Sequence, residues 1–364
     1  MAHAGTVIRQ TGAPTNGTFT LRYRSLDRDA NSAETTCQPS ALSLFYKLPA
    51  LTGLLLLCAS ALSAQGQSRD FGVDVSHYQG SSGISPSAWN QMFVEGRRFT
   101  FIKATEGLTG PDDAAMTNNV ARATAEGLLV GVYHYAHPGN RPTPSGAVQE
   151  ANHLLAYAGG AIAPGRLPPA LDLEGNAANL TASALTDWVI AFCDEIIAQR
   201  GPAATPIIYC SQYFANSKLD SRLANCNLWL TDPGSSADPA TDDPPGSTYP
   251  KPTGVFNNWC FWQYSVSGSV GGISPIDMDV CHNEFKPLLS FVIRPFLQLA
   301  FTSTDVLSLN WPSTPVPVAV QSKTDLDAGN WATLTNTPLF TNGTYQVQLP
   351  MKPGQHFYRL TLSP

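Results

Sequence analysis

Two carboxylates separated by one leucine end an apolar stretch near the middle of the chain. The stretch reads LPPALDLEGN from Leu167 to Asn176, and its acids are Asp172 and Glu174. Residues i and i+2 of a strand point to the same side, about 7 Å apart along the backbone. Because buried charges are costly and like charges repel, this pair at a strand end predicts a functional site.

Seven more short apolar runs end in polar or acidic residues. The eight runs occupy residues 71–80, 99–107, 128–138, 168–175, 205–214, 227–234, 258–265 and 276–282. Helix-like stretches lie between several of them, at 112–127, 146–160 and 181–201. Alternating strands and helices predict a parallel sheet, and eight strands predict an α/β fold with an irregular, TIM-like β/α barrel.

The carboxyl ends of the strands in a parallel barrel meet at one mouth, where active sites form. This geometry would gather the candidate site residues around one opening: Asp74, His77, Glu106, Tyr133, Tyr135, Asp172, Glu174, Tyr209, Trp229, Asp232, Gln263, Tyr264, Asp277 and Asp279. The alternative for each acidic residue is that it only caps a turn or the next helix.

The ordered set of motifs resembles glycoside hydrolase family 25, the Chalaropsis-type lysozymes. The motifs run from Phe71 to His282 and read FGVDVSHYQG, FIKATEG, GVYHYAHP, PALDLEG, PIIYCSQYF, LWLTDPG, FWQYS and IDMDV. The resemblance implies an N-acetylmuramidase that cuts the β-1,4 bond between N-acetylmuramic acid and N-acetylglucosamine in bacterial peptidoglycan. It also implies that Asp172 and Glu174 are the central pair and that Asp74 and Asp277 are further acidic site residues. Asp279 departs from the family, whose members often carry Asn there.

Clustered carboxylates suit glycoside cleavage, which needs a proton donor and negative charge near an oxocarbenium ion. Repulsion among them raises one pKa and keeps that group protonated. We expect Glu174 to be the general acid and Asp172 to orient the substrate's 2-acetamido group, whose carbonyl oxygen attacks the anomeric carbon. The alternative mechanism uses an aspartate as nucleophile or general base, from among Asp74, Asp172 and Asp277. Neither route requires a metal or another cofactor.

Aromatic and polar side chains at the strand ends predict substrate contacts. Rings can stack on sugar faces while polar groups bond the sugar edges. The candidates are Tyr133, Tyr135, Tyr209, Trp229, Tyr264, Gln263 and Glu106. Some of the rings are expected to pack in the core instead. His134 and His137 have a metal-like spacing, but residues at this spacing face opposite sides of a strand, so no zinc site is predicted.

An uncharged run at residues 48–64 follows Lys47 and ends in small residues. This layout predicts a secretory signal within a leader over residues 1–64, and the alternative is an uncleaved membrane anchor. We expect a secreted or periplasmic protein with no stable membrane association after cleavage. Its five remaining cysteines lie in the second half of the large domain, and some should form disulfides in an oxidising compartment.

The barrel is predicted over residues 65–290, and the sequence pattern changes after it. Short alternating runs over 295–364 predict a small β-sandwich similar to fibronectin type III-like modules. A net charge of −6 argues against nucleic acid as a partner. We expect a monomer acting on peptidoglycan. The alternatives are a chitinase-like hydrolase of a related amino-sugar polymer and an inactive cell-wall glycan-binding protein.

Overall fold

The computed structural model describes residues 7–9, 22–24, 69–177, 179–245, 252–303, 305–326, 329–350, 354 and 356–362. The predicted signal at 48–64 lies outside these residues. Among the residues described, no helix combines the length and apolar character needed to cross a membrane. The first two strands, β1 (Val7–Arg9) and β2 (Arg22–Arg24), pair antiparallel.

Eight strands close into a barrel, which confirms the predicted fold class. All eight predicted runs form strands, and neighbours from β3 to β9 are parallel. The strands are β3 (Phe71–Val75), β4 (Arg97–Glu106), β5 (Leu129–Tyr135), β6 (Ala170–Asp172), β7 (Ile207–Ser211), β8 (Leu228–Thr231), β9 (Phe261–Val270) and β10 (Ile273–Cys281).

Strand β10 makes the barrel irregular because it runs antiparallel to both of its neighbours, β9 and β3. The turn into it uses Gly271 and Gly272, both with positive φ (61° and 76°). Positive φ at two adjacent positions is the requirement of a tight hairpin turn, and glycine meets it without steric cost. The hairpin thus replaces a crossover helix at the last step.

Five α-helices accompany the strands: α1 (Pro86–Val94), α2 (Met116–Ala125), α3 (Pro144–Ala158), α4 (Ala182–Arg200) and α5 (Gln212–Ser217). The sequence patterns predicted α2, α3 and α4 but missed α1 and α5. Both missed helices have a serine N-cap, Ser85 or Ser211, whose side chain accepts a backbone N–H. The predicted run 205–214 therefore covers a strand and the start of a helix.

Aromatic side chains fill the barrel interior below the mouth. Phe99, Phe101 and Phe261 are fully buried and contact one another edge to face. The segment after the last strand closes the opposite end, because Phe291 and Val292 pack into the same cluster. These apolar residues form the core of the barrel below the mouth.

The five cysteines of the second half are all free thiols, contrary to the predicted disulfides: Cys193, Cys210, Cys226, Cys260 and Cys281. Four of them are buried. Burial raises the pKa of Cys260 to about 11, which disfavours its reactive thiolate. These residues act in the structure as small apolar core groups.

The C-terminal region forms two small sheets that share a core. One has the order β11–β12–β16–β15 and the other β14–β13–β17. The strands are β11 (Gln298–Ser303), β12 (Val306–Pro312), β13 (Val318–Lys323), β14 (Ala332–Thr333), β15 (Leu339–Thr341), β16 (Thr344–Pro350) and β17 (Phe357–Leu362). Leu309 and Trp311 of one sheet pack with Val320 and Tyr358 of the other. The sequence patterns missed β11 and β15, which are largely exposed edge strands.

This sandwich contacts the barrel at the end opposite the mouth. Gly165 precedes β6, and a Cβ there would lie 2.6 Å from Pro315 Cδ. Leu362 packs against the cluster inside the barrel. The backbone of Ile293 exchanges hydrogen bonds with Gly165 and Arg166. Residues 291–293 thus belong to the barrel rather than to the C-terminal sandwich.

We expect a chain ending at Arg294 to keep a folded barrel and a chain ending at Lys286 to lose it. The longer chain retains Phe291, and removing that ring alone would cost about 3–5 kcal/mol. Circular dichroism and thermal melts of the two truncations check this. Equal melting temperatures would show that the closing segment is dispensable.

Candidate active site

A polar pocket opens at the carboxyl ends of the strands. It is lined by Asp74, Ser76, Tyr78, Gln79, Lys103, Tyr133, Tyr135, Asp172, Glu174, Tyr209, Trp229, Gln263 and Asp277. All four candidate catalytic carboxylates are in this lining. So are five of the seven candidate substrate contacts. Separate strands deliver these groups, so the barrel closure brings them together.

Two predicted substrate contacts, Glu106 and Tyr264, are outside the lining. Glu106 pairs instead with Lys103 Nζ at 2.7 Å and with His137 Nε2 at 3.3 Å. Tyr264 follows Gln263 on β9, so alternation turns its ring away from the barrel interior. That ring packs edge to face on Phe71.

The sequence patterns missed four lining residues: Ser76, Tyr78, Gln79 and Lys103. Ser76 caps a short 3-10 turn over His77–Gln79, and the Gln79 side chain accepts the Ser76 backbone N–H in return. The S-x-x-Q spacing of this capping box was readable in the sequence. Lys103 was also readable, since it shares the inward face of β4 with Phe101.

Trp229 forms part of the pocket floor rather than an open stacking platform. Its ring stacks on Phe101 at 4.5 Å and meets Tyr209 edge to face at 4.7 Å. Only 2% of the residue is exposed. Its indole Nε1–H donates to Asp279 Oδ1 at 2.9 Å. Trp229 is therefore held by packing and by one buried hydrogen bond.

The amide of Gln263 holds Asp74 in place. Tyr209 OH and Thr231 Oγ1 both donate to Gln263 Oε1, at 2.9 and 2.7 Å. With its oxygen so occupied, the amide directs Nε2 at Asp74 Oδ2, 2.8 Å away. Asp277 lies directly opposite Asp74 in the β10–β3 ladder. Two acids thus face each other across adjacent strands.

Strand β6 ends at Asp172, and Glu174 lies two residues beyond it. Asp172 is buried, 6% exposed, and its Oδ1 has no hydrogen-bond partner. Glu174 is exposed at the mouth. Both side chains line the pocket although only the first is in the strand. The pair therefore spans the pocket from its wall to its rim.

Three of the lining aspartates have raised pKa values. Burial raises the pKa of Asp172 well above its usual range, and the charge of Glu174 and a hydrogen bond with it raise it further. Burial, followed by the charge of Asp277, does the same for Asp74. Burial raises the pKa of Asp277 to about 6. The pocket therefore holds carboxylic protons close to neutral pH.

The two histidines of metal-like spacing do not converge. His134 is buried between Thr105 Oγ1 at 2.7 Å and Glu150 Oε2 at 2.9 Å. His137 lies beside Glu106. Within the described ranges, no group of three or more histidine, cysteine or acidic side chains is arranged to hold a metal ion.

Comparison with known proteins identifies the family. The model of the glycosyl hydrolases family 25 matches residues 73–273, more than half of the chain. The chain belongs to this family. It is thus a glycoside hydrolase built on the barrel. The matched range contains three of the four candidate carboxylates, Asp74, Asp172 and Glu174, and Asp277 lies just beyond its end.

Two curated relatives and one solved structure are similar to this chain. Lysozyme M1 of Streptomyces globisporus is 31% identical over 224 residues, covering 59% of this chain and 67% of the relative. The N,O-diacetylmuramidase of Chalaropsis sp is 36% identical over 146 residues, covering 38% and 64%. The bacterial lysozyme of Streptomyces coelicolor superposes with a TM-score of 0.51 at 26% identity, covering 61% of this chain and 96% of that one.

We expect Asp277→Asn to raise the melting temperature at pH 7 more than at pH 4. The folded-state pKa of about 6 exceeds the unfolded value of about 3.9. The stability contributed by this group is complete below pH about 4 and is lost as the pH rises through about 6. Asparagine does not ionise and avoids that loss, so thermal melts across this pH range check the prediction.

Asp220→Asn is the matched control of opposite sign. A hydrogen bond from Arg222 lowers the pKa of Asp220. The stability from that group is present above the unfolded pKa and is lost as the pH falls, so the variant should be less stable at pH 7. A parallel pH response of the two variants would contradict the assignment.

Proposed function

We propose that this glycoside hydrolase is an N-acetylmuramidase that cleaves the β-1,4 bond between N-acetylmuramic acid and N-acetylglucosamine in peptidoglycan. The observation that carries the proposal is the gathering of Asp74, Asp172, Glu174 and Asp277 in one polar pocket. The curated relatives named lysozyme and N,O-diacetylmuramidase support the substrate class. Peptidoglycan is then the partner of the pocket.

Glu174 is the general acid in this proposal. It lies exposed at the mouth, where the oxygen between two sugar units can reach it. Its proton passes to that oxygen as the glycosidic bond breaks. A hydrogen bond with Asp172 holds the Glu174 carboxyl beside the reacting sugar at the pocket.

Asp172 orients the acetamido group next to the reacting carbon. Asp172 lines the pocket and its Oδ1 has no hydrogen-bond partner among the described residues, so in this proposal the carboxyl accepts the acetamido N–H. The acetamido carbonyl oxygen then bonds to the anomeric carbon as the leaving oxygen departs, and water later opens this ring. Asp74 and Asp277 supply negative charge near the oxocarbenium-like centre.

Tyrosines supply the sugar contacts. Tyr133 and Tyr135 stand two residues apart on β5, and both line the pocket with partly exposed side chains. Burial raises the pKa of Tyr135 to about 12, so its hydroxyl stays protonated and can donate to a sugar oxygen. Tyr209 and Gln263 act beneath them by orienting Asp74.

The N-terminal leader and the C-terminal module have proposed roles in export and in wall binding. The run at 48–64 with Lys47 before it supports export to a secreted or periplasmic location, with residues 1–64 as leader. The barrel then extends from about residue 65 to Ile293. The two-sheet module over 295–364 is similar in size and strand content to fibronectin type III-like modules and acts as a spacer or as a wall-binding module.

We expect Glu174→Gln to lower the rate of wall lysis by about 100- to 10,000-fold, because an amide keeps the shape but cannot give up a carboxylic proton. Turbidity loss of bacterial walls measures the rate. Glu126→Gln is the matched control, since Glu126 bonds Asn90 on an outer helix. Retention of more than half of the wild-type rate in Glu174→Gln would remove Glu174 from this role.

The bond that is cut is checked by mass spectrometry of digested peptidoglycan. A muramidase leaves N-acetylmuramic acid at the new reducing end. New reducing ends made of N-acetylglucosamine would contradict the proposed specificity. Cleavage of chitin in place of peptidoglycan would reassign the enzyme to a related amino-sugar polymer.

A further inference from the structure

Asp279 is a fully buried acid just below the pocket that the proposed mechanism does not use. It is 0% exposed and stands on β10, two residues after Asp277. Its Oδ1 accepts the indole N–H of Trp229 at 2.9 Å. Its Oδ2 is buried and accepts no hydrogen bond from an N–H or O–H group of the described residues. A buried carboxylate oxygen with no donor is costly, and a proton on that oxygen removes the charge.

The neighbour available to such a proton is the carboxyl of Asp74. In the β10–β3 ladder Asp277 pairs with Asp74 and Asp279 pairs with Gly72, so Asp74 and Asp279 are diagonal neighbours on one face. Gln263 Nε2 already donates to Asp74 Oδ2, so that oxygen is an acceptor. Trp229 makes Asp279 Oδ1 an acceptor in the same way. Asp279 Oδ2 is then the place where a proton can both satisfy a buried atom and bridge the two acids.

We propose that Asp279 is a positioning residue that keeps its proton and donates it in a hydrogen bond to Asp74, holding Asp74 ionisable and oriented at the pocket floor. The inference rests on the proposed function, in which Asp74 is one of the reacting carboxylates. Asp279 touches no substrate and acts only through Asp74.

The electrostatics of the pocket agree with this arrangement. Burial raises the pKa of Asp279 well above its usual range, and the charge of Asp74 raises it further. The hydrogen bond with Asp279 lowers the pKa of Asp74, opposing the effect of burial. In the described part of the chain, the titratable groups that interact with Asp279 are Asp74 on β3, Asp277 on β10 and Tyr264 on β9.

Two substitutions of Asp279 distinguish loss of the hydrogen-bond donor from loss of the acid itself. Asp279→Asn keeps an oxygen for Trp229 and an N–H for Asp74, so its pH–activity profile should overlay that of the wild type. Asp279→Leu has no donor, so the pKa of Asp74 should rise. Because Asp74 must then reach a higher pH to ionise, the acidic limb should move up by about one pH unit. A purely structural Asp279 would leave this limb in place.

Infrared spectra of the full chain test the proton without using activity. The difference spectrum between the wild type and Asp279→Asn at pH 7 should contain the carbonyl band of one buried carboxylic acid, because the bands of the other protonated acids cancel in it. The control Asp232→Asn should keep the band, because Asp232 follows β8, which is not adjacent to β10, and its side chain accepts a hydrogen bond from Gln212. Because this measurement uses no substrate, it is independent of whether peptidoglycan is cleaved.

The outcomes are distinct for the two proposals. A band of equal size in the wild type and in Asp279→Asn overturns the inference. So does an acidic limb that is unshifted in a folded Asp279→Leu variant. A band that Asp279→Asn removes, in a protein that lyses no wall at any pH, overturns the proposed function and leaves the proton on Asp279 established. The infrared result decides even if Asp279→Leu fails to fold.

Discussion

The crowding of acids at one end of the barrel is the constraint around which the rest of the structure is arranged. Asp74 and Asp277 are directly opposite each other on antiparallel strands, a placement that destabilises a sheet when both are charged. Hydrogen bonds from neutral side chains offset part of that cost. Gln263 donates to Asp74, and Trp229 donates to Asp279. Retained protons offset the rest, as the raised pKa values of the aspartates indicate.

The opposite end of the barrel supplies the stability that such a site requires. Phe99, Phe101 and Phe261 fill the interior in edge-to-face contacts, each of which contributes about 0.5–1.5 kcal/mol beyond its buried area. Trp229 joins the two regions, because its ring stacks on Phe101 while its N–H reaches Asp279. One side chain thereby links the apolar core to the acidic floor.

The sandwich adds mass at the apolar end rather than at the mouth. Its contacts through Pro315 and Leu362 are with the loop before β6 and with the interior cluster. Tyr78, 81% exposed at the pocket rim, is then among the first side chains that a sugar strand would meet.

The strand-end acids and their order were readable from the sequence, because each apolar run is local and the period of a strand decides which side chains share a face. Asp172 and Glu174 stood out for that reason, and so did the barrel. The periodicity of single strands did not predict the contacts that form where side chains from several strands converge. Tyr264 and Glu106 looked equivalent to Gln263, but alternation along β9 turns Tyr264 outward, and Glu106 pairs with Lys103 of its own strand. Only closure of the barrel aims Gln263 at Asp74. The state of the acids was likewise decided by tertiary structure, because a pKa depends on burial and on neighbours distant in the chain, as Trp229 and Asp74 are from Asp279.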